Sequence, residues 1–204
     1  TLDRISGVVA HDPATHQATV RAGMRLAAIA EELAHRGLAL ANLPDINKQS
    51  LAGAVSTGTH GTGADIGSLS SFVTGLRLVT ASGETIDCDA RNRPEIFNAA
   101  RVSLGALGII TQIRIQARPL YKLKRRTWIA PVEEMLEQVP ELEAKNRNFE
   151  FYYVPFSGMA LGIANNETDE PETPTPVNED DDGLRELKML EDWLSWAPAL
   201  RRWA

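Results

Sequence analysis

Residues 57–63, Thr-Gly-Thr-His-Gly-Thr-Gly, bring together the residue types that bind an anion through the backbone. Glycine allows positive φ angles and the close approach of a ligand, and successive peptide N–H groups in such a backbone can converge on one anion. The threonine hydroxyls add donors at short reach, and a diphosphate has the size and charge for such a site. This segment, the glycine loop, therefore predicts phosphate binding, with a purely structural glycine turn as the alternative.

The glycine loop does not match the common nucleotide motifs. No Gly-Lys-Ser or Gly-Lys-Thr follows it, which excludes a nucleotide-triphosphate loop, and it lacks the Gly-x-Gly-x-x-Gly pattern in a strand–turn–helix setting. From Ser50 to Gly63 the chain holds four glycines and no large apolar side chain after Val55. We therefore predict a loop, rather than a core element, over the whole of this stretch.

Periodic segments on either side must position the glycine loop. Before it, we predict a hairpin of residues 5–10 and 17–22, a helix from Gly23 to Gly37, and an extended run over residues 38–43. After it, we predict strands over residues 73–80 and 85–89, a helix over 94–102, a second glycine turn over 103–108 and a strand over 109–115. Pro119 ends this part of the chain.

The pattern changes after Pro119. Strands are predicted over residues 121–129, 149–154 and 158–164, and helices over 131–145 and 184–196. Residues 165–182 hold eight acidic residues and no basic ones, so we predict a mobile surface loop there. Three tryptophans near the C-terminus are expected to pack the last helix, with a partner interface as the alternative: Trp193, Trp196 and Trp203.

Composition limits the classes of partner. The net charge of −6 argues against nucleic acid or an anionic membrane surface. No apolar run approaches the roughly 20 residues of a membrane helix, and we expect a cytoplasmic location, with membrane association of a longer protein left open. The single cysteine, Cys88, is expected to be a small buried residue. No residue spacing indicates a metal site, and three histidines are expected to be exposed: His11, His16 and His35.

Residues 50–63 together with residues 103–111, Ser-Leu-Gly-Ala-Leu-Gly-Ile-Ile-Thr, resemble FAD-linked oxidoreductases of the vanillyl-alcohol-oxidase type. Within that family the chain is most similar to the sugar-lactone and alditol oxidases, which include gulonolactone and arabinonolactone oxidases. The resemblance covers residues 1–130 well and the remainder weakly. Two separate motifs in the family's order, joined by a strand–turn–strand segment, support it.

The resemblance implies an α+β fold. Residues 1–118 would form the second subdomain of a two-subdomain FAD-binding domain, and residues 119–204 would begin an α+β substrate (cap) domain. It implies that the glycine loop binds the FAD pyrophosphate, that the backbone at Ile109 and Ile110 meets the adenine, and that His60 positions the cofactor rather than acting as a catalytic base. The implied cofactor-binding residues are Ser50, Gly53, Ser56, Thr57, Gly58, Thr59, His60, Gly61, Thr62, Gly63, Ile109 and Ile110.

The implied activity is oxidation of a polar carbinol, in an alditol or sugar lactone, by hydride transfer to FAD, which oxygen or another acceptor reoxidises. In this family a further FAD loop and the substrate-facing groups would lie before residue 1 and after residue 204. The resemblance therefore names no catalytic residue here, and it implies weak FAD binding, no covalent flavin and no turnover by these 204 residues alone. The alternative is a non-catalytic nucleotide- or FAD-binding module, or an inert core, that needs a partner segment. Substrate, acceptor and oligomeric state stay open.

Overall fold

The computed structural model describes Leu2 and residues 4–172, which divide into two compact units. The first contains the described residues up to Gly61 together with Ile66–Tyr121, and the second contains Thr62–Asp65 and the described residues from Lys122 onward. Both combine helices with antiparallel sheet, so the α+β fold class is confirmed. The predicted helix over residues 184–196 and the three tryptophans near the C-terminus lie outside the described residues.

The first unit is built on a five-stranded antiparallel sheet in the order β1-β2-β6-β4-β5. A short pair, β3 with β7, forms a second small sheet. In chain order the elements are β1 (Val8–Asp12), β2 (Gln17–Arg21), α1 (Leu26–Ala34), β3 (Leu38–Ala39), α2 (Leu51–Ser56), a 3₁₀ helix (Leu69–Phe72), β4 (Val73–Val79), β5 (Thr85–Asp89), α3 (Pro94–Ala100), β6 (Ile109–Gln116) and β7 (Arg118–Pro119).

Alternation of apolar and polar residues places one face of this sheet in the core. On β6, Ile113 and Ile115 are buried, whereas Gln112 and Arg114 point to the opposite, solvent-facing side. Helix α1 adds to the same core apolar residues at spacings of three and four: Leu26, Ile29 and Leu33, none of them measurably exposed. Both predicted hairpins, β1–β2 and β4–β5, are confirmed.

The second unit is a three-stranded antiparallel sheet in the order β8-β10-β9, with one helix against it. Its elements are β8 (Lys122–Pro131), α4 (Val132–Lys145), β9 (Asn148–Val154) and β10 (Met159–Thr168). On the central strand, Gly162 lies between Trp128 and Phe151, and Met135 of α4 packs over the same glycine. No helix in the described ranges is long and apolar enough to cross a lipid bilayer.

Two predictions from composition were wrong. Residues 51–56 are not loop but helix α2, because Leu51, Ala54 and Val55 present an apolar face that is buried in the core. Residues 165–168, expected to begin a mobile loop, extend β10, since they pair with β8 as far as Thr168. The rest of that predicted loop, from residue 173, lies outside the described residues.

Two smaller corrections concern exposure and extent. His35 is exposed as expected, but His11 and His16 are half-buried, because they flank the β1–β2 turn where the chain folds back on the sheet. The extended run after Gly37 forms a strand only at residues 38–39, where β7 supplies a partner. Cys88 is buried, as predicted.

Candidate anion-binding site

Helix α2 delivers the chain to the glycine loop and is itself firmly anchored. Ser50 is its N-cap, and the Ser50 Oγ accepts a hydrogen bond from the Gly53 N–H at 3.3 Å. The first turn is attached to the core because the Leu51 N–H donates to the Met24 carbonyl at 2.9 Å. Two of the predicted site residues, Ser50 and Gly53, therefore satisfy each other at the start of the helix that carries the loop.

The threonine hydroxyls at the start of the glycine loop donate within the protein. Thr57 Oγ1 donates to the Gly53 carbonyl at 2.9 Å and lies 3.1 Å from Thr59 Oγ1. Thr59 Oγ1 in turn donates to Gln49 Oε1 at 3.2 Å. These two hydroxyls hold the exit of α2 in place.

The hydrogen bonding of the backbone N–H groups in the glycine loop changes at His60. The N–H groups of Thr57 and Thr59 donate to carbonyls of α2. By contrast, the N–H groups of His60, Gly61 and Gly63 donate to no acceptor in the part of the chain that the structure describes. The loop thus offers exposed or half-exposed peptide donors of the kind that bind anions.

The imidazole of His60 is held by the loop itself. Its Nδ1 lies 2.8 Å from the Gly61 carbonyl, and because a carbonyl only accepts, Nδ1 carries the proton in this contact. The ring is exposed to solvent, and no carboxylate bonds to its second nitrogen in the described chain. This arrangement fits a positioning role better than that of a general base.

Gly61 is required by packing inside the first unit. A Cβ atom at this position would lie 2.3 Å from the Leu43 carbonyl oxygen and 2.8 Å from Asn42 Oδ1. Asn42 is 7% exposed and accepts a hydrogen bond from the Leu43 N–H at 3.1 Å. Sequence reasoning missed Asn42, and its only local signal is a polar residue inside the apolar run 38–43.

The second glycine turn, residues 103–108, contacts the end of α2. The Leu104 N–H donates to the Ser56 carbonyl at 3.2 Å, and a Cβ at Gly58 would lie 3.7 Å from Val102 Cγ1. Positive φ angles at Leu104 (51°), Gly105 (79°) and Gly108 (134°) let the chain make this turn. The two sequence motifs, about 45 residues apart along the chain, therefore meet within the first unit.

The two isoleucines that follow this turn face opposite ways, as neighbours on a strand must. Ile110 is 5% exposed and belongs to the core, whereas Ile109 is 58% exposed. Only the side chain of Ile109 is thus accessible to a ligand. It is one of four exposed aliphatic residues in and around the turn: Val102, Leu104, Leu107 and Ile109.

The glycine loop fits a diphosphate on the chemistry of its donors. Three peptide N–H groups are unused within the described chain, and no Asp or Glu occurs between Asp45 and Asp65 to repel an anion. A pocket of about 290 Å³ on the solvent face of the large sheet is a poorer candidate for binding an anion. Its charges are already paired, with Arg77 Nε 2.7 Å from Asp87 Oδ1 and Arg114 Nη2 3.2 Å from Asp89 Oδ2.

Comparison with known proteins gives two family matches. Residues 1–89, which include α2 and the glycine loop, match the FAD-binding domain family. Residues 113–204 match the D-arabinono-1,4-lactone oxidase family. The FAD-binding match therefore covers the segment in which the donor geometry indicates an anion site.

Relatives and solved structures agree with these matches. The chain is 40% identical over 165 residues to an L-gulono-1,4-lactone dehydrogenase of Mycobacterium tuberculosis, covering 81% of this chain and 38% of the relative. It is 33% identical over 170 residues to L-gulonolactone oxidase of Bos taurus, covering 83% and 39%. The chain thus spans about two fifths of the length of these curated relatives. The fold matches cholesterol oxidase of Brevibacterium sterolicum with a TM-score of 0.77 at 21% identity, over 98% of this chain and 46% of that one.

Proposed function

This chain belongs to the FAD-linked oxidoreductases of the vanillyl-alcohol-oxidase type, in the sugar-lactone oxidase branch, and from that premise we propose that it binds FAD through the glycine loop in an enzyme that oxidises a sugar lactone or an alditol. The observation that carries the proposal is the set of unused N–H groups at His60, Gly61 and Gly63. The proposed partner is a small polyol or lactone, and a cytoplasmic location stays a prediction.

The cofactor is FAD, which when bound would supply the hydride acceptor for the carbinol carbon, with oxygen or another electron acceptor to reoxidise it. The residues of this chain bind and orient it. The peptide donors of the glycine loop would donate hydrogen bonds to the diphosphate, and the Thr57 and Thr59 hydroxyls hold the loop against α2 and the residue before its N-cap. The cofactor contacts that the resemblance implies, including Ile109 near the adenine, belong to this proposal.

The two units are proposed to divide the work. Residues 1–118 would bind FAD, and residues 119–204 would begin the substrate domain. Apart from Thr62–Asp65, which cluster with the second unit, the compact units change after Tyr121, and the second family match begins at residue 113, inside β6. These boundaries support a division of roles near Pro119.

The FAD site is tested by a matched pair of substitutions at His60. His60→Pro removes one peptide N–H donor, whereas His60→Ala removes the imidazole and keeps the donor. A hydrogen bond to a charged group contributes about 1.5–3 kcal/mol, so His60→Pro should weaken FAD binding by roughly 10- to 100-fold. The FAD affinity of His60→Ala should stay within about threefold of that of wild type, because the peptide donor remains.

Fluorescence titration with FAD measures both variants, and thermal unfolding without FAD checks that they fold. Equal affinities for wild type and His60→Pro would refute the proposed diphosphate site. A folded His60→Ala variant that loses FAD as completely as His60→Pro would instead assign the effect to the imidazole.

The oxidase activity is tested by anaerobic mixing of the FAD-loaded enzyme that contains these residues with L-gulono-1,4-lactone, D-arabinono-1,4-lactone and xylitol. Bleaching of the flavin absorbance near 450 nm by at least one of them is expected. Reoxidation by oxygen or by a dye then identifies the acceptor. FAD binding with no bleaching by any lactone or alditol would favour the non-catalytic binding module.

A further inference from the structure

A buried amide in the second unit contacts the glycine loop. Asn148, the first residue of β9, is only 4% exposed. Its Nδ2 donates to the carbonyl of Thr62 at 2.6 Å, and its Oδ1 accepts a hydrogen bond from Arg147 Nη1 at 2.8 Å. Thr62 and Asn148 belong to the same compact unit, although 86 positions separate them.

The amide of Asn148 is held in one orientation. The side chain of Arg147 is 15% exposed, and its Nε donates to Glu167 Oε1 at 2.9 Å. A flipped amide would direct its NH₂ group at that guanidinium, which only donates. The Glu167 carboxylate therefore orients the Arg147 guanidinium, which orients the Asn148 amide, and this amide holds the Thr62 carbonyl.

Neighbouring bonds secure the same corner of the sheet. The Arg147 backbone N–H donates to Asn166 Oδ1 at 2.9 Å, and Asn166 Nδ2 donates to Asn146 Oδ1 at 2.7 Å. These bonds brace β9 against β10 and do not involve the glycine loop. They offer a control that disturbs this corner while leaving the contact between Asn148 and Thr62 in place.

Holding the Thr62 carbonyl also sets the direction of the next N–H group. The carbonyl of Thr62 and the N–H of Gly63 belong to one planar trans peptide and point in opposite directions. The Gly63 N–H donates to no acceptor in the described ranges, and a φ of 112° at Gly63 is one that glycine adopts without strain.

We propose that Asn148 is a positioning residue for the cofactor: by binding the Thr62 carbonyl it aims the Gly63 N–H at the FAD diphosphate before FAD arrives. This inference rests on the proposed function, in which the glycine loop binds FAD. A loop ordered in advance loses less conformational entropy when the ligand binds. Asn148, a residue of β9 outside the glycine-rich motifs, thereby contributes to the affinity of the diphosphate site.

The test replaces Asn148 by aspartate. Asn148→Asp keeps the side-chain volume and the acceptor for Arg147, but it replaces the donor to Thr62 with a carboxylate oxygen that repels the carbonyl. FAD affinity should fall by about tenfold or more, since a charged repulsion replaces a hydrogen bond. The ³¹P resonances of bound FAD should shift, because the donor at Gly63 turns away.

The control is Asn166→Ala, which removes the neighbouring bonds and leaves Asn148 intact. It should bind FAD with wild-type affinity and unchanged ³¹P resonances. Thermal unfolding without FAD checks the fold of each variant. If Asn148→Asp does not fold, Asn148→Ser, whose short hydroxyl falls short of the Thr62 carbonyl, takes its place with the same expectations.

Wild-type FAD affinity and ³¹P shifts in Asn148→Asp would overturn the inference, as would an equal loss of affinity in Asn166→Ala. His60→Pro separates this failure from failure of the proposed site. Loss of FAD in His60→Pro with none in Asn148→Asp removes only the role of Asn148. Retention of FAD in His60→Pro removes the diphosphate site on which that role depends.

Discussion

At the scale of single residues, glycine serves different purposes within one motif. Gly58 and Gly63 take positive φ angles of 67° and 112°. Gly61 does not have a positive φ angle. Glycine is needed there because the Leu43 carbonyl oxygen occupies the position that a Cβ atom would take. Any larger residue at position 61 would therefore disturb the packing of the first unit, whether or not FAD is bound.

We predict that Gly61→Ala destabilises the protein even without FAD. A Cβ 2.3 Å from a backbone oxygen forces the neighbouring chain to move, and overpacking of this kind costs typically 1–3 kcal/mol. The control is Gly58→Ala, where the nearest neighbour is 3.7 Å away and only the left-handed φ is unfavourable, at about 1–2 kcal/mol. Urea unfolding measures both free energies. A Gly61→Ala variant as stable as wild type would contradict the contact with Leu43.

Cys88 provides a second residue-scale prediction. Burial raises the pKa of its thiol, and the nearby Asp87 and Asp89 carboxylates raise it further, because each disfavours the thiolate. The side chain is 3% exposed. In the folded protein at pH 8, Cys88 should react with a disulfide reagent such as Ellman's reagent at least tenfold more slowly than in urea. Equal rates in both conditions would show that the thiol is accessible.

At the scale of elements, close contacts between side chains decide how the second unit packs. The central strand β10 has glycine at position 162, where a Cβ would lie 2.6 Å from the Trp128 ring and 2.9 Å from Met135 Cε. Trp128 in turn stacks on Phe149 with a ring separation of 6.1 Å, and the Arg126 guanidinium lies 4.7 Å from its ring centre. The absence of a side chain at Gly162 thus allows Trp128 of β8 and Met135 of α4 to pack directly over strand β10.

Gly162→Ala should displace the Trp128 ring and lower the free energy of unfolding by about 1–3 kcal/mol. Near-ultraviolet circular dichroism should change, since the Trp128 indole loses its fixed surroundings. Gly158→Ala is the control, because no atom lies within 4 Å of its Cβ position. Its left-handed φ of 67° leaves only a smaller backbone penalty. An unchanged spectrum in Gly162→Ala would show that Trp128 does not rest on this glycine.

At the scale of the whole molecule, carboxylates paired in the folded state link stability to pH. A hydrogen bond from Arg77 lowers the pKa of Asp87, and the backbone N–H groups of Arg91 and Asn92 lower that of Asp89. Hydrogen bonds from Thr15 and Ala14 do the same for Asp12. A group whose pKa is lowered by folding stabilises the protein above its unfolded pKa of about 4 and stops doing so as the pH falls through the folded value.

We therefore predict a nearly constant contribution from these carboxylates between pH 5 and 7, and a fall in the free energy of unfolding below about pH 4. Asp87→Asn should make this fall shallower. The change should stay below about 1 kcal/mol, because the Arg77–Asp87 pair is about half exposed and screened by water. Denaturant unfolding across this pH range measures both proteins. A steeper acid fall in Asp87→Asn would reverse the assigned sign.

The periodic elements and the chemistry of the glycine loop could be predicted from the residues alone. Alternation identified the β1–β2 and β4–β5 hairpins, and helical spacing identified α1, because each pattern is written in residues a few positions apart. The two glycine motifs also led from residue types to FAD and to the family. The roles of the individual site residues and of the two units stay predictions.

The neighbours that those elements acquire depend on how distant segments of the chain fold together. Helix α2 forms where glycine content argued for a loop, since Leu51 and Val55 are buried against a core assembled from distant segments. Residues 165–168 are strand because β8 supplies hydrogen-bond partners about forty positions away. Gly61 against Leu43, and Asn148 against Thr62, follow the same rule. Contacts between residues far apart in the chain leave no local periodicity, so they become visible only when folding brings the segments together.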